Sequence, residues 1–296
     1  MLDLLITAVL ALIMFSIGLS LKSKDFRHLL LHPRTLLIGL LLQLVALPSL
    51  VFVVVGAVKI EPFFALGFLV LAACPGGLSS NFISYLLRAN TALAVSLTVC
   101  NSLLCMFTVP FIVNLALARY APVDTTAQLP LLATALRICL IVVLPVLLGM
   151  LVRYLLPRAA KHIQPYARRG ALALLALVFI LKLFAPVHEG GSALTLTEVK
   201  HILPVALLIN VLALSLGRLG GLLFRLGKDS QLTLGVEVGI QNTSLAFVIA
   251  GTFLGSEQAL KPALVYAMFT FFTALLYGLL LKPEMRGRLY EEFIGS

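Results

Sequence analysis

Long apolar runs separated by short polar stretches repeat along the whole 296-residue chain. Nine stand out, at 2–21, 34–57, 62–87, 91–118, 129–155, 168–187, 200–225, 230–254 and 260–282. Each has the ~17–25 residues a helix needs to cross a bilayer, and the longer ones leave room for tilt. The pattern predicts an all-α polytopic membrane protein with nine transmembrane helices. The first run has no basic segment ahead of it, and Asp3 stands where positive charge would mark a secretory signal. It is read as a retained helix.

Composition agrees with this reading. The chain is 61% hydrophobic and 11% charged, against about 25% charged in a soluble domain. Its mean hydropathy is +1.10. A secreted disulfide scaffold, a disordered chain and an ordinary soluble enzyme are all excluded. Cys74, Cys100, Cys105 and Cys139 lie in or beside apolar runs, form no CxxC pair and have no neighbouring His for a zinc site. The net charge of +10 would suggest nucleic acid in a soluble protein. Here most of the 22 Lys and Arg residues fall after runs 1, 3, 5 and 7 and at the C-terminus. The alternate loops hold only Lys59, Arg119, Lys200 and Lys261. By the positive-inside rule the N-terminus faces outward and the C-terminus is cytoplasmic, so the charge sets topology and implies no nucleic-acid partner.

The runs also match one another. An offset of about 166–169 residues carries the starts of runs 1–4 onto those of runs 6–9, and Leu66-Gly67 lands on Leu234-Gly235. Paired runs lie five apart, an odd number, so the two copies run in opposite directions. Such an inverted repeat is the architecture of many secondary transporters, with two discontinuous helices crossing near the midplane.

Runs 3 and 8 form the matched pair with internal breaks. Pro75 lacks an N–H, and Gly76 and Gly77 weaken the next turn; Ser79, Ser80 or Asn81 is placed to cap a second half-helix. In run 8, Glu237, Gln241, Asn242, Thr243 and Ser244 gather around Gly239, and Asn242, Thr243 or Ser244 is placed to start its second half. Eleven of the twelve acidic residues sit at termini, in loops or at run edges. Glu237 alone lies deep, roughly 10 Å into its run. A carboxylate at a helix centre costs at least about 2.5 kcal/mol on insertion scales, which makes a functional role its default reading. The bland readings are a hydrogen-bonded neutral acid or an ion pair with Arg137 or Lys182. One carboxylate among amides and hydroxyls, without imidazole or thiolate, suits a hard cation with oxygen ligands. A proton relay would not require the surrounding amides.

At Cys74-Pro75-Gly76-Gly77-Leu78-Ser79-Ser80-Asn81 and Glu237-Val238-Gly239-Ile240-Gln241-Asn242 the chain resembles the bile acid:sodium symporter family. The likeness runs nearly the whole length, through residues 14–26 and Gln43 ahead of Pro48. It implies a nine-span bacterial homologue in the inner membrane. The core domain would be 34–120 and 199–283, the panel domain 1–22 and 125–190, and the cytoplasmic tail 284–296. It implies two sodium sites. The first would use Ser80, Asn81, Thr98 and Glu237; the second Gln43 and Gln241 with oxygens at Glu237, Val238 and Ile240. Asn242, Ser79, Gly77 and Thr270 would face the substrate. Three departures are visible: Ala94 stands where bacterial relatives carry a serine ligand, which would weaken the first site, and Leu78 and Phe271 make the cavity more apolar.

The expected function is Na+-coupled import of an organic anion, bile-acid-like or a small carboxylate such as pantoate, by alternating access. A proton-coupled antiporter or metalloid exporter using Glu237 as proton carrier is the alternative. An enzyme would need an acid/base pair or metal cluster that the sequence lacks. The implied partners are sodium, the anion and the lipid bilayer; no protein partner is implied.

Overall fold

The computed structural model describes residues 2–21, 33–120, 129–184, 191–285 and 287. Lys22, Lys24 and Arg27, the Leu78 side chain and most of the 284–296 tail lie outside that description. The described residues form helices and no strands. We number the helices α1 (Leu2–Ser20), α2 (Pro33–Val58), α3 (Pro62–Ala73), α4 (Leu78–Leu86), α5 (Thr91–Tyr120), α6 (Leu131–Leu155), α7 (Pro157–Phe184), α8 (Leu196–Leu223), α9 (Lys228–Gly239), α10 (243–253) and α11 (Glu257–Leu281).

Six stretches have the length and composition to cross a membrane: α2, α5, α6, α8, α9 with α10 as Lys228–Phe253, and α11. The other three expected spans differ for physical reasons. Leu4–Ser20 is an apolar but shorter helix, and the third run is divided at Pro75 into α3 and α4. The sixth begins at Pro157 rather than 168, because Pro is favoured at a first helical position and the basic residues 158–169 continue into one helix. Leu37, Val53, Phe107, Phe111, Leu140, Val211, Phe272 and Leu276 are all exposed. Apolar faces of that extent mark a surface built for lipid. The protein is a polytopic membrane protein.

Proline placement shapes two of the long helices. Pro48 and Pro145 have no N–H for the preceding turn, and five-residue π segments, Leu42–Ala46 and Cys139–Val143, absorb the mismatch ahead of them. Gln43 lies within the first π segment, so its direction is set by this local widening.

α1 packs against α6 and α7; α9 lies against α8, and α3 between α5 and α11. Contact of α8 with α9 is backbone to backbone: a Cβ on Gly217 would collide with the Leu234 carbonyl group. α9 is consequently buried along 232–239. Charged groups pair at helix ends, Lys182 with Glu257 at 3.0 Å and Lys261 with Glu198 at 2.6 Å. Gly217→Val should lower stability by about 1–3 kcal/mol through overpacking against α9. Thermal unfolding in detergent reads this directly, and an unchanged midpoint would contradict the close approach.

Candidate functional site

Two interrupted helices meet at their breaks. α3 stops at Ala73 because Cys74 turns extended (φ −75°, ψ 147°) ahead of Pro75. The chain re-enters helix at Gly77, also extended. The sequence predicts a side-chain cap from Ser79, Ser80 or Asn81; α4 has none. The Ser80 hydroxyl instead donates back to the Gly77 carbonyl at 2.8 Å. α9 ends at Gly239, Ile240 is extended, and Asn242 caps α10, its Oδ1 accepting from the Leu245 N–H at 3.0 Å. The Asn242 N–H donates to the Pro75 carbonyl at 2.8 Å, joining one break to the other.

Side chains from neighbouring helices satisfy what the breaks release. Gln43 Nε2 donates to the Cys74 carbonyl at 3.0 Å and to Gln241 Oε1 at 2.7 Å, and Gln241 Nε2 donates to the Val238 carbonyl at 2.7 Å. The Gly239 carbonyl accepts from Asn210 Nδ2 at 2.8 Å and from the Tyr266 hydroxyl at 2.7 Å. Thr273 donates to Asn210 Oδ1 at 2.7 Å. Sequence reasoning does not single out Asn210, Tyr266 or Thr273. Asn210 carries a usable signal, as a lone amide in the middle of an apolar run.

Glu237 lies two residues before the end of α9, with only 2% of its surface exposed. Its Oε2 accepts from the Thr98 hydroxyl at 3.3 Å, and Thr98 accepts from Asn81 Nδ2 at 3.0 Å. A Cβ on Gly76 would strike Glu237 Oε2 and lie 3.2 Å from the Ser80 hydroxyl oxygen, so the glycine is what admits the carboxylate. Thus Ser80, Asn81, Thr98 and Glu237 form one cluster, while Gln43, Gln241 and the Val238 carbonyl form another. Buried oxygens in both lack a donor among the described residues: Glu237 Oε1, Asn81 Oδ1 and Gln43 Oε1. Asn101 Oδ1, on the same helix as Thr98, lacks one too. A set of acceptors without donors is chemistry for a cation.

The other polar positions resolve individually. Lys182 pairs with Glu257, and the Arg137 guanidinium lies 5.9 Å over the Phe253 ring, so neither pairs with Glu237. Ala94 is fully buried, and the nearby Ser96 hydroxyl is buried without a partner among the described residues. A cavity of about 390 Å³ is lined by Ser79, Ile240, Gln241, Thr243 and Thr270 with the apolar Phe179 and Phe271. Gly77 and Asn242 face each other at the crossing and do not line this cavity. Asn242 Nδ2 is buried and lacks an acceptor among the described residues. Removing the support of the α9 break by Asn210→Leu should lower stability by about 1–3 kcal/mol, because it leaves buried polar partners unsatisfied. Tyr266→Phe should show a smaller loss in the same thermal unfolding assay; wild-type midpoints in both would contradict the assignment.

The chain has relatives among known proteins. The Sodium Bile acid symporter family matches residues 7–188. An uncharacterized sodium-dependent transporter of Bacillus subtilis, YocS, is 28% identical over 260 residues, covering 88% of this chain and 77% of that protein. A probable chloroplastic sodium/metabolite cotransporter of rice, BASS2, is 28% identical over 261 residues, and the alignment covers 88% of this chain but 60% of the rice protein. The ileal sodium/bile acid cotransporter of rabbit is 28% identical over 285 residues, 93% of this chain and 78% of its own length. A chain with two interrupted helices crossing beside one buried carboxylate, matched over more than half its length, belongs to the sodium bile acid symporter family.

Proposed function

We propose that this chain is a Na+-coupled secondary transporter that imports an organic anion by alternating access. The observation that carries the reading is the polarity of the orphaned groups at the crossing. Oxygens without donors surround Glu237 and Gln43, whereas Asn242 contributes the one buried side-chain nitrogen without an acceptor among the described residues. Acceptors attract a cation and a free N–H attracts an electronegative oxygen of the substrate, so one crossing can hold both.

In this reading the nine helical units form two inverted copies, and the 166-residue spacing from Pro75 to Gln241 relates their breaks. α2–α5 and α8–α11 form the core, and α1, α6 and α7 the panel, a division supported by the packing of α1 on α6 and α7. Ser80, Asn81, Thr98 and Glu237 bind one sodium. Gln43 and Gln241, with oxygens at Glu237, Val238 and Ile240, bind a second. Ala94 supplies no oxygen to the first site, which is therefore the weaker. Asn242, Gly77, Ser79 and Thr270 face the substrate path. Basic loops set the N-terminus outside and the C-terminus in the cytoplasm of a bacterial inner membrane.

The charges support coupled movement. Two Na+, the Glu237 carboxylate and a monoanion sum to zero, so the loaded core crosses a region of low dielectric without net charge. Sodium draws the oxygens of both breaks together, and this fixes Asn242 and the start of α10 to meet an electronegative oxygen of the substrate. An empty core keeps its oxygens unpaired and holds the anion poorly, which is the origin of coupling.

The test is uptake into proteoliposomes from a panel containing taurocholate and pantoate, with an inward gradient of sodium or of potassium. Uptake should require sodium, and Glu237→Ala should reduce it to background. Glu237→Gln should still fold but lose the sodium-induced rise in the unfolding midpoint. Uptake at the wild-type rate in Glu237→Ala, or sodium-independent uptake driven by a proton gradient, would overturn the proposal.

A further inference from the structure

The cavity beside the breaks does not end there. It shares Ser79, Leu172 and Phe271 with a second cavity of about 490 Å³, so the two form one elongated cleft between α7 and the core helices. The far end of that cleft is lined by Arg168 and Arg169 of α7. A third cavity of about 200 Å³ shares Phe82, Gln164 and Arg168 with it and reaches Asn81. Arg168 therefore stands where the cleft meets the side of the site that carries the unpaired oxygens.

The arginine is half-buried and has no carboxylate or hydrogen-bond acceptor among the described residues. Its guanidinium lies 5.2 Å over the Phe82 ring, and Phe82 stacks on Phe271 with ring centroids 6.3 Å apart. The stack holds one face of the guanidinium by cation–π attraction and leaves its N–H edge free. A planar fork held in this way matches the two oxygens of a carboxylate or sulfonate. The same aromatic pair offers an apolar wall to the body of whatever that group belongs to. Arg169 adds a second positive charge at the mouth.

We propose that Arg168 anchors the anionic group of the transported molecule, with its apolar body against Phe82 and Phe271 and its other end directed toward the helix breaks. The inference rests on the reading of the chain as an importer of organic anions and adds the residue that recognises the charge. It also fixes the direction of the ligand: the anionic end lies away from the crossing, beside α7. Placed there, the anion offsets a cationic side chain that would otherwise repel sodium passing through the cavity beside Asn81.

Binding of cholate, taurocholate and the uncharged methyl ester of cholate to the purified full chain in detergent tests this. In saturating sodium, Arg168→Gln should weaken both anions by about tenfold or more, the scale of a lost charge-assisted pair, and shift the ester by less than about twofold. Arg168→Lys, which keeps the charge but not the fork, should recover part of the affinity. Equal weakening of acid and ester, unchanged anion binding in Arg168→Gln, or a wild-type chain that binds neither anion would overturn the inference. The sodium-induced rise in unfolding midpoint, measured without anion, reports separately on the transport reading. Its absence from the wild type would count against that reading, whereas a selective loss of anion affinity in Arg168→Gln would still support the anchor.

Discussion

Backbone that leaves the helix inside a membrane must find its hydrogen bonds within the protein, because no water is there to supply them. That constraint organises the centre of this structure. Pro75 ends one helix and leaves its carbonyl free; the amide of Asn242, at the break of another helix, takes it up. Gln43, Gln241, Asn210 and Tyr266 complete the set, drawn from α2, α8, α11 and the second break itself. Each break is thereby tolerable only in the presence of the other. A group that pulls on one must displace its partner, which is the mechanical basis for coupling ion to substrate in the proposed cycle.

Where charge can reside is set by the same economy of polar groups. Lys182, Lys261 and Lys282 pair with Glu257, Glu198 and Asp229, at or beside helix ends. Among the described residues Glu237 has no such cation; it meets the Thr98 hydroxyl at 3.3 Å and the Ser80 hydroxyl, and its second oxygen lacks a donor. In the proposed mechanism the missing counter-charge is the coupling ion. A protein that kept a permanent lysine beside Glu237 would be more stable there and unable to respond to sodium. The glycine at 76 serves the same end, since any side chain at that position would occupy the carboxylate's place.

Much of this is legible in the chain. Pro75 with two following glycines announces a break because of what proline and glycine do to a helix, and Glu237 stands out because no other acidic residue lies deep in an apolar run. The capping of α10 by Asn242 is an ordinary side-chain preference. The failures are equally physical. Ser80 does not cap α4, because the cap position falls on Gly77, which has no side chain, and Ser80 lies already inside the helix with its hydroxyl donating back to the Gly77 carbonyl. Asn210 and Tyr266 escape notice because their role depends on where Gly239 falls in space, which spacing along one run cannot reveal. The π segment that turns Gln43 toward the breaks is a response to Pro48 that periodicity alone does not predict. Arg168 reads as a topological charge in the sequence, and only the cleft gives it a second role.

The central claim is that sodium binds at Glu237 and clamps the two breaks together. Hydrogen–deuterium exchange tests it most directly, because exchange rates report the opening of local backbone hydrogen bonds. With ionic strength held constant by potassium, sodium should slow exchange in residues 74–81 and 237–244 together in the wild type and in neither segment of Glu237→Ala. Exchange in both segments that ignores sodium in the wild type would contradict the account.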